Sequence, residues 1–338
     1  MIDARKQRYL KSGLYVLIGI LIIIGFIIGL QIVTGYIQVH TTPTGWKIIR
    51  PPNEVYTLLI DNDTVWTGGK DGVALIDRIS GNQLQLPPNA PPFSYVRAII
   101  KDNHGTIWIG HDGGLVQYLN GSWRIVAPQP DIPFTKTLSI LERHDSSIVI
   151  GTALDVFEYN GVVWKSLINP GGPSIASADA LFEDTNRNLW IGCDDPTHGA
   201  LYRLRRSVWT IYTVNDNLPH SSVRMIREST DGTIWVATGF ANRGGIGLFK
   251  NETWTNITKQ DGLAGQSTRS VYQDRDGRMW VGSEYDGIAV LEHGTWKVLT
   301  EKNGLAGNEV KIMNQDIENN YWLGTTKGLT RITNGTVI

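Results

Sequence analysis

The chain has 338 residues, with 31 Lys+Arg against 32 Asp+Glu, a formal charge of −1, 37 Gly, 12 Trp and one Cys. A near-neutral balance gives no field to gather nucleic acid, which excludes a dedicated nucleic-acid binder. With Cys193 alone there is no internal disulfide and no thiolate metal cage, so the fold must hold by packing and no metal or cofactor is expected.

The chain begins with an apolar run. Leu14 to Val33 reads LYVLIGILIIIGFIIGLQIV, without a charge. As a helix it would span about 30 Å, the thickness of a bilayer's hydrocarbon core. Arg5, Lys6, Arg8 and Lys11 precede it, and the next cation is Lys47. The positive-inside bias therefore predicts a cytoplasmic tail over 1–12, a transmembrane signal anchor over 13–35 and a linker over 36–43. All that follows is expected in the periplasm or outside the cell. A cleaved secretory signal is the competing reading, but such apolar cores run roughly 7–15 residues.

From residue 44 to residue 338 the sequence repeats. Segments of the form Gly-x-[Ile/Leu]-Trp-[Ile/Val]-Gly centre on Trp66, Trp108, Trp190, Trp235, Trp280 and Trp322, with Val149 at the Trp position in one copy. The intervals are 42, 41, 41, 45, 45 and 42 residues. A second Trp (Trp123, Trp164, Trp209, Trp254, Trp296) lies 26 residues before the next centre, five times in succession. Each repeat holds four strand signals joined by Asp-x-x-Gly or Asn-Gly turns, as in 96–102, 106–110, 114–119 and 122–126. A fixed period near 40 of this kind marks propeller blades. The reading is all-β: a seven-bladed β-propeller preceded by one transmembrane helix. An extra strand around Trp46 stands ahead of the first repeat, while the last repeat runs out at Gly335–Ile338. The N-terminal strand is therefore expected to complete the last blade and leave no open edge.

Asp102…Gly105-x-x-Trp108-Ile109-Gly110…Gly114-Leu115, with loops such as Asp261-Gly262-Leu263-Ala264-Gly265 and Asn303-Gly304-Leu305-Ala306-Gly307-Asn308, resembles the two-component regulator propeller repeat. That repeat builds the extracytoplasmic sensor part of bacterial hybrid histidine kinases. The resemblance implies recognition of an extracellular ligand such as a glycan fragment. Val149 and Ala237 depart from the repeat pattern at the Trp and Gly positions. The sequence shows no immunoglobulin-like module, kinase or receiver, so a separate membrane signalling partner is expected to carry any output.

The repeated Trp residues are expected to fill the wedges between sheets rather than to stack sugars. Asp231-Gly232 and Asp276-Gly277 read as hairpin turns, since they lack further calcium ligands. Site candidates come from two other signals. One position after the start of each inner strand stand Tyr56, Arg97, Leu138, Asp179, Arg224, Arg269 and Lys311. Arg97, Arg224, Arg269 and Lys311 would ring the mouth of the central channel and could meet an anionic ligand; equally, they could pair with neighbours such as Asp179 or Glu309. In repeats four and five, the distance from the central Trp to the outer strand grows from about 15 residues to 19. The extra residues fall in Cys193–Gly199 and Thr238–Gly244, on the same face. The enlarged loops add Asp194, His198 and Arg243, and other loops of the same face add His111, Asp112 and Glu284, as candidate ligand-binding residues. No spacing among them forms a known triad or metal set, so no catalytic residue is assigned. The expectation is a membrane-anchored extracytoplasmic module that binds an anionic ligand, a glycan or a partner protein. A surface hydrolase or lyase acting on a polysaccharide is the alternative.

Overall fold

The computed structural model describes residues 15–30, 42–127, 136–168, 172–175, 177–195 and 198–333. The chain divides into two compact units, Met1–Thr44 and Gly45–Ile338. In the first, residues 15–30 form a helix whose apolar side chains are exposed. Among the described residues no helix is long and apolar enough to cross a membrane. Residues 15–30 alone reach about 24 Å against roughly 30 Å of hydrocarbon. The tail 1–12, the flanks of the expected 13–35 span and most of the 36–43 linker lie outside the described residues. Among the described residues, the transmembrane helix read from the sequence is therefore not shown; the run is helical over 15–30.

The second unit is seven four-stranded antiparallel sheets. Inner strands Thr57–Asp61, Val96–Lys101, Thr137–Glu142, Ala178–Glu183, Val223–Glu228, Thr268–Gln273 and Val310–Gln315 open blades one to seven. Blade seven takes its outermost strand from Trp46–Ile49, paired antiparallel with Gly328–Ile332. Strand alternation and turn chemistry thus produce the expected propeller, closed by the N-terminal strand. The final residues 334–338 lie outside the described residues.

Repeat residues explain the local geometry. Asp102 Oδ1 accepts from the amides of His104 (3.0 Å) and Thr106 (2.8 Å), and its Oδ2 from Trp108 Nε1 (2.7 Å). Asp184, Asp274 and Asp316 hold Trp190, Trp280 and Trp322 in the same way. One carboxylate therefore closes the turn and orients the indole. Trp190, Trp280 and Trp322 are no more than 1% exposed, packed against the neighbouring blade. The glycine after them is fixed by close approach: a Cβ on Gly110 would lie 2.7 Å from Thr137 Cγ2 of the next blade.

Neighbouring blades are latched at the opposite end of the inner strands. Glu142, Glu183, Glu228, Gln273 and Gln315 each accept from a turn amide of the preceding blade, at Asn103, His144, Thr185, Thr230 and Arg275. Between blades one and two a salt bridge, Lys101–Asp61 at 2.7 Å, takes that place.

The expected enlarged loop of blade five is instead a longer hairpin. Its strands run on as Ile234–Phe240 and Arg243–Lys250, with Phe240 opposite Arg243. Gly239, Gly244 and Gly245, at φ of 145°, 135° and 148°, allow the extension where a Cβ would strike backbone. In blade four the described residues between Leu189–Cys193 and Leu201–Arg205 add nothing to either strand.

Candidate functional site at the channel mouth

Inner strands of blades two to seven carry a register shift one residue after their start. The residue skipped is Arg97, Leu138, Asp179, Arg224, Arg269 or Lys311. A bulge re-aims its side chain away from the sheet. All six, with Tyr56 of blade one, line a single cavity of about 660 Å³ along the central channel. The column read from the sequence is therefore a ring in space, and the bulge is what makes it one.

Each cation of the ring is engaged with a carboxylate. Arg97 Nε lies 2.6 Å from Asp112 Oδ1, and its guanidinium covers the Tyr95 ring at 4.6 Å. Arg224 pairs with Asp194 and approaches Asp179 at 3.9 Å. Arg269 pairs with Glu284 and lies 3.2 Å from Glu309. Lys311 Nζ is 2.9 Å from Glu54 and 3.5 Å from Glu309. These cations keep only 13–22% of their side-chain surface exposed. The mouth is a charge-paired collar rather than a bare positive ring.

The carboxylates are positioned by the backbone. Asp112, Asp194 and Glu284 each follow a second strand, and their amides donate to the carbonyls of Tyr95, Ser177 and Ser267 at 3.1, 3.0 and 2.9 Å. Ser267 Oγ donates to Glu284 Oε2 at 2.7 Å, and Ser222 Oγ donates to Asp194. Tyr95 OH donates to Glu54 at 2.5 Å, and Lys136 stands 3.8 Å from Asp112.

Electrostatics differ around the ring. Burial and the neighbouring Asp194 charge push Asp179 up to about 7, with Arg224 opposing. Asp112 is held below the usual carboxylate range by its hydrogen bond from Arg97. Burial acts to raise Glu54, but hydrogen bonds from Tyr95 and Lys311 outweigh it and leave it lowered. Burial raises both Tyr56 and Tyr95, so both phenols stay neutral donors. The collar can thus offer oriented donors and acceptors side by side, and it holds one carboxyl that titrates near neutrality.

The remaining candidates lie elsewhere. His198 and Arg243 line a separate groove of about 860 Å³ with Tyr202, Pro219, His220 and Gln266, between the blade-four loop and the blade-five hairpin. His111 joins neither site. It is buried with Nδ1 3.1 Å from Ser94 Oγ and its ring edge-on to Phe93 at 5.7 Å, and burial lowers its pKa.

Glu54, Tyr95, Lys136, Ser222 and Ser267 were not singled out by the sequence reading. Each sits two positions before a ring residue, as do Ser177 and Glu309. Tabulating that position across the seven repeats would have exposed a second polar column.

Residues 91–113 and 262–285 match the two component regulator propeller, so the chain carries that repeat. No curated protein matches the chain in sequence. Solved structures share the fold at low identity, among them the following three. The extracellular domain of a hybrid two-component system from B. thetaiotaomicron superposes with a TM-score of 0.74 at 17% identity, covering 87% of this chain and 42% of that one. Virginiamycin B lyase from Staphylococcus aureus gives 0.63 at 15%, covering 86% and 98%. PorZ, a surface component of the type-IX secretion system of Porphyromonas gingivalis, gives 0.63 at 16%, covering 84% and 47%. This chain therefore spans less than half the length of the first of these.

Proposed function

We propose that this two-component regulator propeller is a membrane-anchored extracytoplasmic recognition module that binds a polar ligand, anionic or glycan, or a partner protein, at the channel mouth. A signalling partner in the membrane would carry the output. The observation that carries the reading is the collar itself: bulged cations from four blades converge on one cavity, beside carboxylates, serines and two neutral tyrosines. Ion-paired guanidinium and carboxylate groups hold one another in place, so a ligand rich in hydroxyls meets fixed donors and acceptors without first ordering them. Exposed Leu154, Phe240 and Tyr285, from connections that open on this face, supply apolar contact around it. Support for the anchor is the uncharged run Leu14–Val33 behind four cations, together with the likeness to an extracellular domain.

Two measurements test this. A reporter fused after Ile338 should be active only outside the cytoplasm; activity inside would overturn the topology. A panel of neutral and acidic oligosaccharides, screened against the full chain by thermal shift, should yield a binder that is lost when Arg269 and Glu284 are replaced together by Met and Gln. Binding unaffected by that pair would move the site to the groove lined by His198 and Arg243.

A further inference from the structure

The far end of the same channel has a different chemistry. Three positions beyond each ring residue, the inner strands place Leu59, Ile100, Leu141, Phe182, Tyr272 and Asn314 along the cavity, with Arg227 as the one charged member of this second ring. Arg227 Nη1 donates to the carbonyl of Ile226 at 2.8 Å. Among the described residues no carboxylate pairs with it, whereas every cation of the collar has one. It is enclosed by protein and keeps its accessible surface toward the lumen. Enclosure works against its charge and lowers its pKa, with Tyr272 the nearby group that acts the other way. Asn314 stands in the same ring, and its Oδ1 accepts from the Gln315 amide at 3.1 Å, which leaves its NH2 group as a second donor.

A guanidinium set among Leu59, Ile100, Leu141 and Phe182, with donors to spare and no carboxylate paired to it, is stabilised once a matching anion joins it. We propose that the inner end of the channel is an anion site in which Arg227, with Asn314 beside it, holds a small monovalent anion, a halide or a short carboxylate. One positive charge matches one negative charge, so a divalent anion would bring an excess charge into an apolar wall. The collar is a different environment, because each of its cations already faces a carboxylate. This inference stands apart from the recognition reading, which concerns the opposite end of the cavity.

The test follows the unfolding midpoint of the full chain as sodium bromide or sodium acetate is titrated. Ionic strength is held constant with sodium gluconate, a bulkier anion than either. The midpoint should rise and saturate with at least one of the two, and which one responds distinguishes a halide site from a carboxylate site. Arg227→Met should lose the response, with apparent affinity falling at least about tenfold, the size of one charge-assisted contact. Arg227→Lys should keep part of it. Arg269→Met should respond like the parent chain, which separates this site from the collar. A midpoint that climbs without saturating, or climbs equally in Arg227→Met, overturns the proposal. If Arg227→Met fails to fold, bromide located by anomalous scattering in crystals of the parent chain decides instead. A bromide peak beside Arg227, or acetate density there in crystals soaked in acetate, supports the site, and neither being found there removes it.

Discussion

Trp46 stands opposite Ile332 at the edge of the seventh blade, so the start of the propeller is paired with its end. The indole is 7% exposed and packs among Trp280, Leu299, Met313 and Tyr321. Trp46→Ala should cost about 3–5 kcal/mol through the cavity it leaves. Deleting residues 44–50 should cost more, since it also bares the edge of Gly328–Ile332. Chemical denaturation gives both values, and an unchanged midpoint in the deletion variant would mean that the ring closes another way.

The glycine at the end of each second strand sets how closely blades pack. A Cβ on Gly192 would lie 2.9 Å from Val223 Cβ and closer still to its Cγ1. Gly192→Ala should therefore lose roughly 1–3 kcal/mol by overpacking. Blade five already carries Ala237 at this position, packed beside Thr238, whose amide donates to Thr268 Oγ1 at 2.9 Å. Ala237→Gly should cost no more than about 1 kcal/mol. Equal losses in the two variants would show that close approach is not what selects glycine here.

The latch predicts a chemical distinction at one residue. Glu183 accepts from the His144 amide at 2.7 Å and from Arg143 Nε at 3.0 Å. Glu183→Leu leaves the His144 amide without its acceptor and Arg143 with Glu158 alone, and should lose about 1–3 kcal/mol. Glu183→Gln keeps an acceptor for the amide and should retain more than half of that stability. Thermal unfolding of both variants checks the ordering.

Asp179 makes stability depend on pH in a definite direction. Its carboxyl is raised from 3.8 to about 7, first by burial and then by the Asp194 charge, so over that interval the folded chain holds a proton that the unfolded chain has released. Stability contributed by this group is therefore full below 3.8 and falls as pH rises through about 7. Asp179→Asn should flatten the unfolding midpoint across this window. A profile as steep as that of the parent chain would assign the dependence to other groups.

The collar's cations, for which the sequence left open an anionic ligand or a neighbouring carboxylate, each face a carboxylate. Arg269→Met alone leaves Glu284 and Glu309 facing a lost charge and should destabilise by about 3 kcal/mol or more. Adding Glu284→Gln should recover part of that loss, because one of the stranded carboxylates is gone. A single variant as stable as the parent chain would mean that the pair is fully screened by water.

The sequence alone determined the propeller, its seven blades and the strand that closes it. A period near 42 residues, alternating apolar strands and Asp-Gly turns are local signals, repeated until their phase is unambiguous. It also placed Arg97, Arg224, Arg269 and Lys311 at equivalent positions, because repetition turns a sequence column into a spatial ring. What it could not decide was the partner of each cation. Arg224 reaches Asp194 and Asp179 of blade four, Lys311 reaches Glu54 of blade one, and Arg97 turns back to Asp112 of its own blade. Those choices depend on the bulge and on the distance between neighbouring sheets, which exist only once the ring has closed. The same holds for Arg227, which reads as one more charged residue in a strand until seven blades enclose it.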